Sequence, residues 1–255
     1  MQADAPHRRP CPVFGPQPAA ALRIIRHVRA PEASAGELVA SLAALEPTAG
    51  DENPATRVVR LGRPVPTVAF GRLDTHRPGY AAACAIAAQH GYEPVVRDVG
   101  GHAAAYDEGC LVIEIAGRET RPREQTGARF EAFADLVTAA LRQAGVDARV
   151  GPVADEYCPG RLSVNARGST KLAGLAQRVT ISGWVLSGVV TVRAPERLRA
   201  VVKDVYAALD LPLNPRTVGC VADELPAAAA LSVDDLADVL TTVVVAAAQD
   251  EELCA

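Results

Sequence analysis

The chain of 255 residues is short of lysine, aromatics and methionine, and each shortage excludes something. Lysine occurs twice, at Lys171 and Lys203, against 24 arginines, so wherever a positive charge alone is enough this sequence uses a guanidinium. Aromatic residues make up 4% and methionine occurs once, which leaves the core to be built from Ala, Val and Leu. Basic charge is not in surplus either: the net charge is −4, so there is no electrostatic footprint for nucleic acid or for an anionic membrane surface. No apolar run reaches the ~18 residues of a membrane span. The polar opening at 1–10 is not followed by an apolar segment of signal-peptide length, and the expected location is cytoplasmic. The six cysteines, Cys11, Cys84, Cys110, Cys158, Cys220 and Cys254, show neither C-x-x-C spacing nor a partnering histidine cluster. That argues against a zinc site, or any other metal site, and against a disulfide framework.

What the sequence does contain is two glycine-marked stretches. The first, Arg97-Asp98-Val99-Gly100-Gly101-His102-Ala103, follows a predicted strand at 93–96, read as short and buried, and precedes a second at 110–115. The paired glycines thus fall at a strand-to-turn junction. Two consecutive glycines allow positive φ and leave no Cβ in the way, so main-chain N–H groups can face an acyl chain, a carboxylate or a phosphate. The same pair also suits an ordinary hairpin turn. Arg97 could supply a guanidinium to an anionic group held there. The second stretch is Gly168-Ser169-Thr170-Lys171-Leu172-Ala173-Gly174-Leu175-Ala176-Gln177-Arg178. A lysine retained in a chain that otherwise uses arginine points to a need for lysine itself, whose compact ammonium rotates, sits against an oxygen and can be buried. Lys203 falls at a polar position of a predicted helix and reads as solvated.

The order and spacing of these residues resemble the lipoate-protein ligase and octanoyltransferase family, which is related to biotin-protein ligase. The resemblance rests on Arg97-x-x-Gly100-Gly101-x-Ala103, followed about 70 residues later by Lys171-x-x-Gly174-x-Ala176-Gln177. Phe70-Gly71-Arg72 upstream and Asp107-Glu108-Gly109-Cys110-Leu111 between them also match, so that it covers residues 57–225. It implies an α+β, two-layer catalytic domain of the class II biotin/lipoate ligase kind, with a mixed, largely antiparallel sheet packed with helices. In it the glycine-rich turn and the lysine face one another across an acyl and nucleotide pocket. Lys171 is implied as catalytic. Substrate binding is implied for Arg97, Gly100, Gly101, His102, Ala103, Tyr106, Asp107, Gly71, Arg72, Gly174, Ala176 and Gln177. Three departures stand out: His102 where ligases usually carry a third glycine, Ala105-Tyr106 where a histidine precedes the Asp-x-Gly, and Arg97-Asp98 in place of paired arginines. His102 is either a pocket residue or a turn residue whose ring points to water.

Cys158 lies thirteen residues ahead of Lys171, in the loop Asp155-Glu156-Tyr157-Cys158-Pro159-Gly160. Cysteine-dependent octanoyltransferases of the family place an acyl-accepting cysteine in this loop, so the resemblance implies Cys158 as a nucleophile. A thiol before Pro-Gly is held in a turn, and a neighbouring ammonium favours the thiolate, whereas Asp155 and Glu156 count against it unless Lys171 is closer. A buried structural cysteine is the other reading. The activity placed first is that of a lipoate-protein ligase-like enzyme, using ATP and Mg2+ to attach a lipoyl or octanoyl group to a lysine of a lipoyl carrier domain. The implied carrier belongs to a 2-oxoacid dehydrogenase complex or is the glycine cleavage H protein. The alternative is an ATP-independent octanoyltransferase with an acyl thioester on Cys158 and no cofactor. A third reading, of another class, is a non-catalytic homologue that binds an acyl or biotin-like ligand.

Residues 1–20, with five prolines, read as a flexible leader, and 21–255 as a single catalytic domain with C-terminal helices and no separate accessory domain. Helices are expected over 36–45, 80–90, 127–144, 195–209 and 233–248, the last capped by Ser232. A polar loop is expected at 48–54. Strands at 57–61 and 67–70 read as a pair joined through 62–66, and strands at 179–182 and 183–192 as a hairpin, with Trp184 in the core.

Overall fold

The computed structural model describes residues 11–14, 22–30, 45, 56–97, 99–226 and 229–249. The helix expected at 36–45, apart from Leu45, and the loop expected at 48–54 lie outside the described residues, as does most of the expected leader. Residues 11–14 of that leader form a turn whose Cys11, Val13 and Phe14 are buried in the core. Cys11 is disulfide-bonded, whereas Cys84, Cys110, Cys158 and Cys220 are free thiols.

Among the described residues, two sheets carry the fold. The larger runs in the order β1 (Leu22–Ala30), β2 (Arg57–Pro64), β6 (Cys110–Arg118), β10 (Gly183–Thr191), β9 (Thr170–Val179), β8 (Val164–Ala166) and β7 (Ala148–Val150). Its β1–β2 pair is parallel and its other pairs are antiparallel. The smaller sheet places β3 (Thr67–Phe70) between β4 (Glu93–Val96), in parallel, and β5 (Ala104–Tyr106), antiparallel. This is the mixed, largely antiparallel α+β architecture that the resemblance implies.

The central strand β6 reads Cys-Leu-Val-Ile-Glu-Ile-Ala-Gly and is buried along its first eight positions, as a strand covered on both faces must be. Alternation divides it. Ile113 and Ile115 face two helices, α2 (Thr126–Gln143) and α4 (Val233–Gln249), while Val112 and Glu114 face the other way. The stripe Phe133, Leu136, Val137, Ala140 and Leu141 of α2 joins Leu236, Leu240 and Val244 of α4 on that first face, and Trp184 of β10 is wholly buried there. A second cluster packs α1 (Tyr80–Gln89) and α3 (Pro195–Ala208) on the small sheet, through Phe70, Ala83, Ala87, Val201, Val205 and Tyr206. The helix ends follow their local chemistry. Ser232 Oγ accepts from the Asp235 N–H at 3.1 Å, and the Asp235 carboxylate accepts from the Ser232 N–H at 2.8 Å. Gly91 (φ 79°) and Gly145 (φ 97°) follow the ends of α1 and α2.

Three expectations are corrected, and one strand was not expected. The strands near 57–61 and 67–70 form, but they lie in different sheets: the Gly62–Pro66 segment carries two prolines, and the chain crosses there instead of reversing. β4 is not buried: as the outer strand of a three-stranded sheet it exposes Glu93, Pro94 and Val96. Residues 180–182 are a turn, because β9 begins at Thr170 and uses the strand residues up to Val179. Ala104–Tyr106, too short to show a period, is a strand that alternation alone does not reveal.

Candidate active site

Lys171 enters β9 at a position that the ladder buries, 1% exposed, and its stem runs along the strand instead of away from it. A Cβ placed on Gly174 would lie 3.6 Å from Lys171 Cε and 3.9 Å from Nζ, so the glycine leaves open the space beside the lysine stem. Nζ donates to the carbonyl oxygens of Tyr157 at 2.9 Å and Cys158 at 2.8 Å, and pairs with Glu156 Oε2 at 3.2 Å. Glu156 is itself buried, and its Oε1 accepts from the Gly160 N–H at 3.1 Å and from Ser163 Oγ at 2.9 Å. One ammonium thus ties three consecutive loop residues to β9. Burial pushes the Lys171 pKa below the ordinary lysine value, against the opposing pull of Cys158 and Glu156.

The loop so held presents Cys158 with φ at 41°, in the left-handed region that a non-glycine residue occupies at a cost of order 1–3 kcal/mol. Its N–H donates to Tyr206 Oη at 2.5 Å, and that hydroxyl donates to the Ala103 carbonyl at 2.9 Å. Arg97 Nη2 donates to Cys158 Sγ at 3.2 Å and to the His102 carbonyl at 2.6 Å, while Arg97 Nε is buried without a partner. Gly101 (φ 101°) closes against the same group. A Cβ there would stand 2.6 Å from Sγ and 2.8 Å from Nη2, so both conformation and space require glycine.

A cavity of about 450 Å3 opens on this cluster. Its floor is the face of the large sheet opposite α2 and α4. One cross-strand row, Val112–Val189–Gly174, lies beneath the lysine, and the next, Glu114–Ser187–Ala176, lies two residues further on. Gly100, Gly101, Tyr106, Pro159 and Leu162 form the walls, and Gln177 lines the cavity with both amide atoms buried and unpaired.

The cavity therefore brings together Arg97, Gly100, Gly101, Tyr106, Cys158, Lys171, Gly174, Ala176 and Gln177. The other residues singled out in the sequence stand behind it. His102 Nδ1 is 2.7 Å from Asp74 Oδ1, so its ring neither lines the cavity nor simply faces water but pins the turn to a fully buried carboxylate. Ala103 contributes its carbonyl to Tyr206. Asp107 is buried and accepts from Tyr92 Oη at 2.6 Å and from the Gly109 N–H at 2.9 Å, a turn-closing role. Gly71 is there for packing: a Cβ on it would lie 1.8 Å from the Gly101 carbonyl oxygen. Arg72 is exposed and does not line the cavity. Sequence reasoning weighed Glu156 only as an obstacle to a thiolate, and it passed over Tyr157, Tyr206, Glu114 and Ser187. The adjacency of Glu156 to the loop cysteine was a usable signal, since a buried lysine needs a counter-charge. Tyr206 comes from a distant helix and left none.

Residues 43–244 match the model of the lipoyl protein ligase A/B catalytic domain. The chain is 35% identical over 112 residues to an octanoyl-GcvH:protein N-octanoyltransferase of Geobacillus kaustophilus, covering 44% of this chain and 39% of that one. It is 26% identical over 145 residues to a lipoyl-GcvH:protein N-lipoyltransferase of Listeria monocytogenes, covering 55% and 50%. The chain thus spans about half or less of the length of these curated relatives. Among solved structures, a lipoate-protein ligase A bound with ATP shares the fold at a TM-score of 0.63 and 18% identity, covering 87% of this chain and 83% of that one. A bipartite lipoate protein ligase from Thermoplasma acidophilum does so at a TM-score of 0.59 and 18% identity, covering 87% and 81%.

Proposed function

Because the chain belongs to the lipoyl protein ligase A/B catalytic domain family, we propose that it is an acyltransferase that moves an octanoyl or lipoyl group through a thioester on Cys158 to the ε-amine of a lysine on a lipoyl carrier domain. The observation that carries this reading is the thiol itself, held in a left-handed turn at the cavity with the Arg97 guanidinium 3.2 Å from its sulfur. The names of the relatives supply the donor: an octanoyl or lipoyl group borne by GcvH, the glycine cleavage H protein. Of the two mechanisms weighed in the sequence, the ATP-using ligase placed first and the thioester transferase, the second is the one that the thiol lining the cavity supports.

The Cys158 sulfur attacks the acyl carbonyl, the S–C bond forms as the amide C–N bond to the donor lysine breaks, and the donor amine leaves with the proton given up by the thiol. The acceptor lysine amine then attacks the thioester carbonyl, the N–C bond forms as the S–C bond breaks, and the proton lost by that amine restores the thiol. Arg97 faces the sulfur through Nη2 as a charge partner, and its guanidinium at the cavity favours the carbonyl oxygen as that oxygen gains charge. Lys171 acts on the sulfur through the main chain, holding the Tyr157 and Cys158 carbonyls so that the turn keeps its shape. The Gly100–Gly101 turn gives the acyl group close access to the backbone. Mass analysis of a lipoyl domain tests the reading. Octanoyl-loaded H protein as donor, with ATP omitted, should add one octanoyl group. Transfer seen only with free octanoate and ATP would restore the ligase, and no gain with any donor would favour a binding protein.

A further inference from the structure

The cavity floor is not uniformly apolar. Beneath the lysine it is Val112, Val189 and Gly174, but the next row carries Glu114 and Ser187. Glu114 is 3% exposed and its Oε2 accepts from Arg60 Nη1 at 3.1 Å, from the strand beyond. A buried ion pair thus flanks a channel that the proposed function fills with hydrocarbon, and nothing in the transfer chemistry described above uses it. From these positions we infer that the Arg60–Glu114–Ser187 row sets the length of the acyl chain that the site accepts, a proposal that rests on the acyltransferase reading.

The distances support a length near eight carbons. The side chain of Lys171 ends at the level of Gly174, as its 3.9 Å approach to a Cβ there shows, and its ammonium holds the cysteine turn at that level. The Glu114–Ser187–Ala176 row lies two residues along the strands, about 7 Å away. An extended octanoyl chain measures about 9 Å from carbonyl carbon to methyl, with C–C bonds of ~1.5 Å. Its tip therefore reaches the polar row, and a chain two to four carbons longer must lie across it. Beyond the row, Val185 packs with Ala116, Val58 and Leu45. Methylenes laid over a buried carboxylate strip it of polar surroundings and give no hydrogen bond in return. A chain that stops at the row avoids that cost.

The test uses acyl-pantetheine thioesters of six, eight, ten and twelve carbons, with the adduct on Cys158 read by intact-protein mass spectrometry over time. Wild type is expected to prefer eight carbons to twelve by about tenfold or more, the discrimination that one or two misfitted methylenes give. The paired variant Glu114→Leu/Arg60→Leu removes both charges together, and it is expected to bring that ratio below about threefold by accelerating the longer donors. Ser187→Leu, which fills the channel at the same row and leaves both charges in place, is expected to shift the preference to six carbons, so the proposal stays testable if the paired variant misfolds. An unchanged chain-length profile in either folded variant, with Cys158 still acylated, overturns the length selector and leaves the acyltransferase intact. Failure of wild type to form any adduct overturns the acyltransferase, and the selector with it.

Discussion

Replacing Lys171 by Met keeps the volume of the stem and removes the charge, so its consequences can be worked out from the three contacts of Nζ. The substitution leaves Glu156 Oε2 without its counter-charge in a buried site and strips the Tyr157 and Cys158 carbonyls of their donor. Breaking one partner out of a buried ion pair costs about 3–5 kcal/mol. For a chain of this size that corresponds to a fall of roughly 6–20 °C in Tm. Adding Glu156→Gln neutralises the stranded carboxylate, and the double variant should recover a substantial part of the lost stability. It should not recover activity, because the Cys158 turn has still lost its anchor. Lys171→Arg should fare nearly as badly as Lys171→Met in turnover, losing about 10²-fold through misplacement of the cysteine turn: the guanidinium is planar and longer, and cannot set one compact donor against Glu156 and the Tyr157 and Cys158 carbonyls together. Calorimetry and single-turnover acyl transfer on the four proteins provide the readout. A Lys171→Met protein within 1 °C of wild type would refute the reasoning, as would an active Lys171→Arg.

Two further outcomes follow from the same geometry. Gly101→Ala should leave the fold standing but slow acylation and alkylation of Cys158 together, since the new methyl group falls 2.6 Å from Sγ; iodoacetamide labelling at an unchanged wild-type rate would contradict this. The buried Cys110 thiol is pushed up to about 12 from 9.0, chiefly by burial, so the folded protein keeps a proton that the unfolded chain loses near pH 9. That stabilisation is complete below pH 9 and is lost as the pH rises toward 12, by about 1.4 kcal/mol per pH unit. Urea midpoints between pH 8 and pH 10.5 should accordingly fall less steeply in Cys110→Ala than in wild type, and equal slopes would argue against it.

What was legible in the sequence was the part written in glycines and in one rare lysine. Gly101 and Gly174 stood out as the glycines of the two motifs; Gly101 leaves room for Cys158, where a Cβ would fall 2.6 Å from the sulfur, and Gly174 lies beside the Lys171 stem at ordinary contact distance. Helix boundaries were legible where a cap or a positive-φ glycine ends them, as at Ser232, Gly91 and Gly145. Strand partners were not. Nothing local says that the strands on either side of Gly62–Pro66 enter different sheets, since pairing depends on distant segments such as β6. The same limit hid the cavity floor: Glu114 sits in an otherwise apolar strand, and only its register with Ser187 and Ala176 shows what it faces. His102 was misplaced in both readings offered for it because Asp74, its partner, is 28 residues away in sequence.

The central claim is that the sulfur of Cys158 carries the acyl group. Wild-type protein incubated with an octanoyl thioester donor, without carrier domain and without ATP, should become one octanoyl group heavier in intact mass. The adduct should map to Cys158, be removed by hydroxylamine, and disappear on addition of a lipoyl domain as that domain gains the same mass. Cys158→Ala should show neither adduct nor transfer. Full transfer by Cys158→Ala would contradict the account outright, because no thioester could then lie on the path.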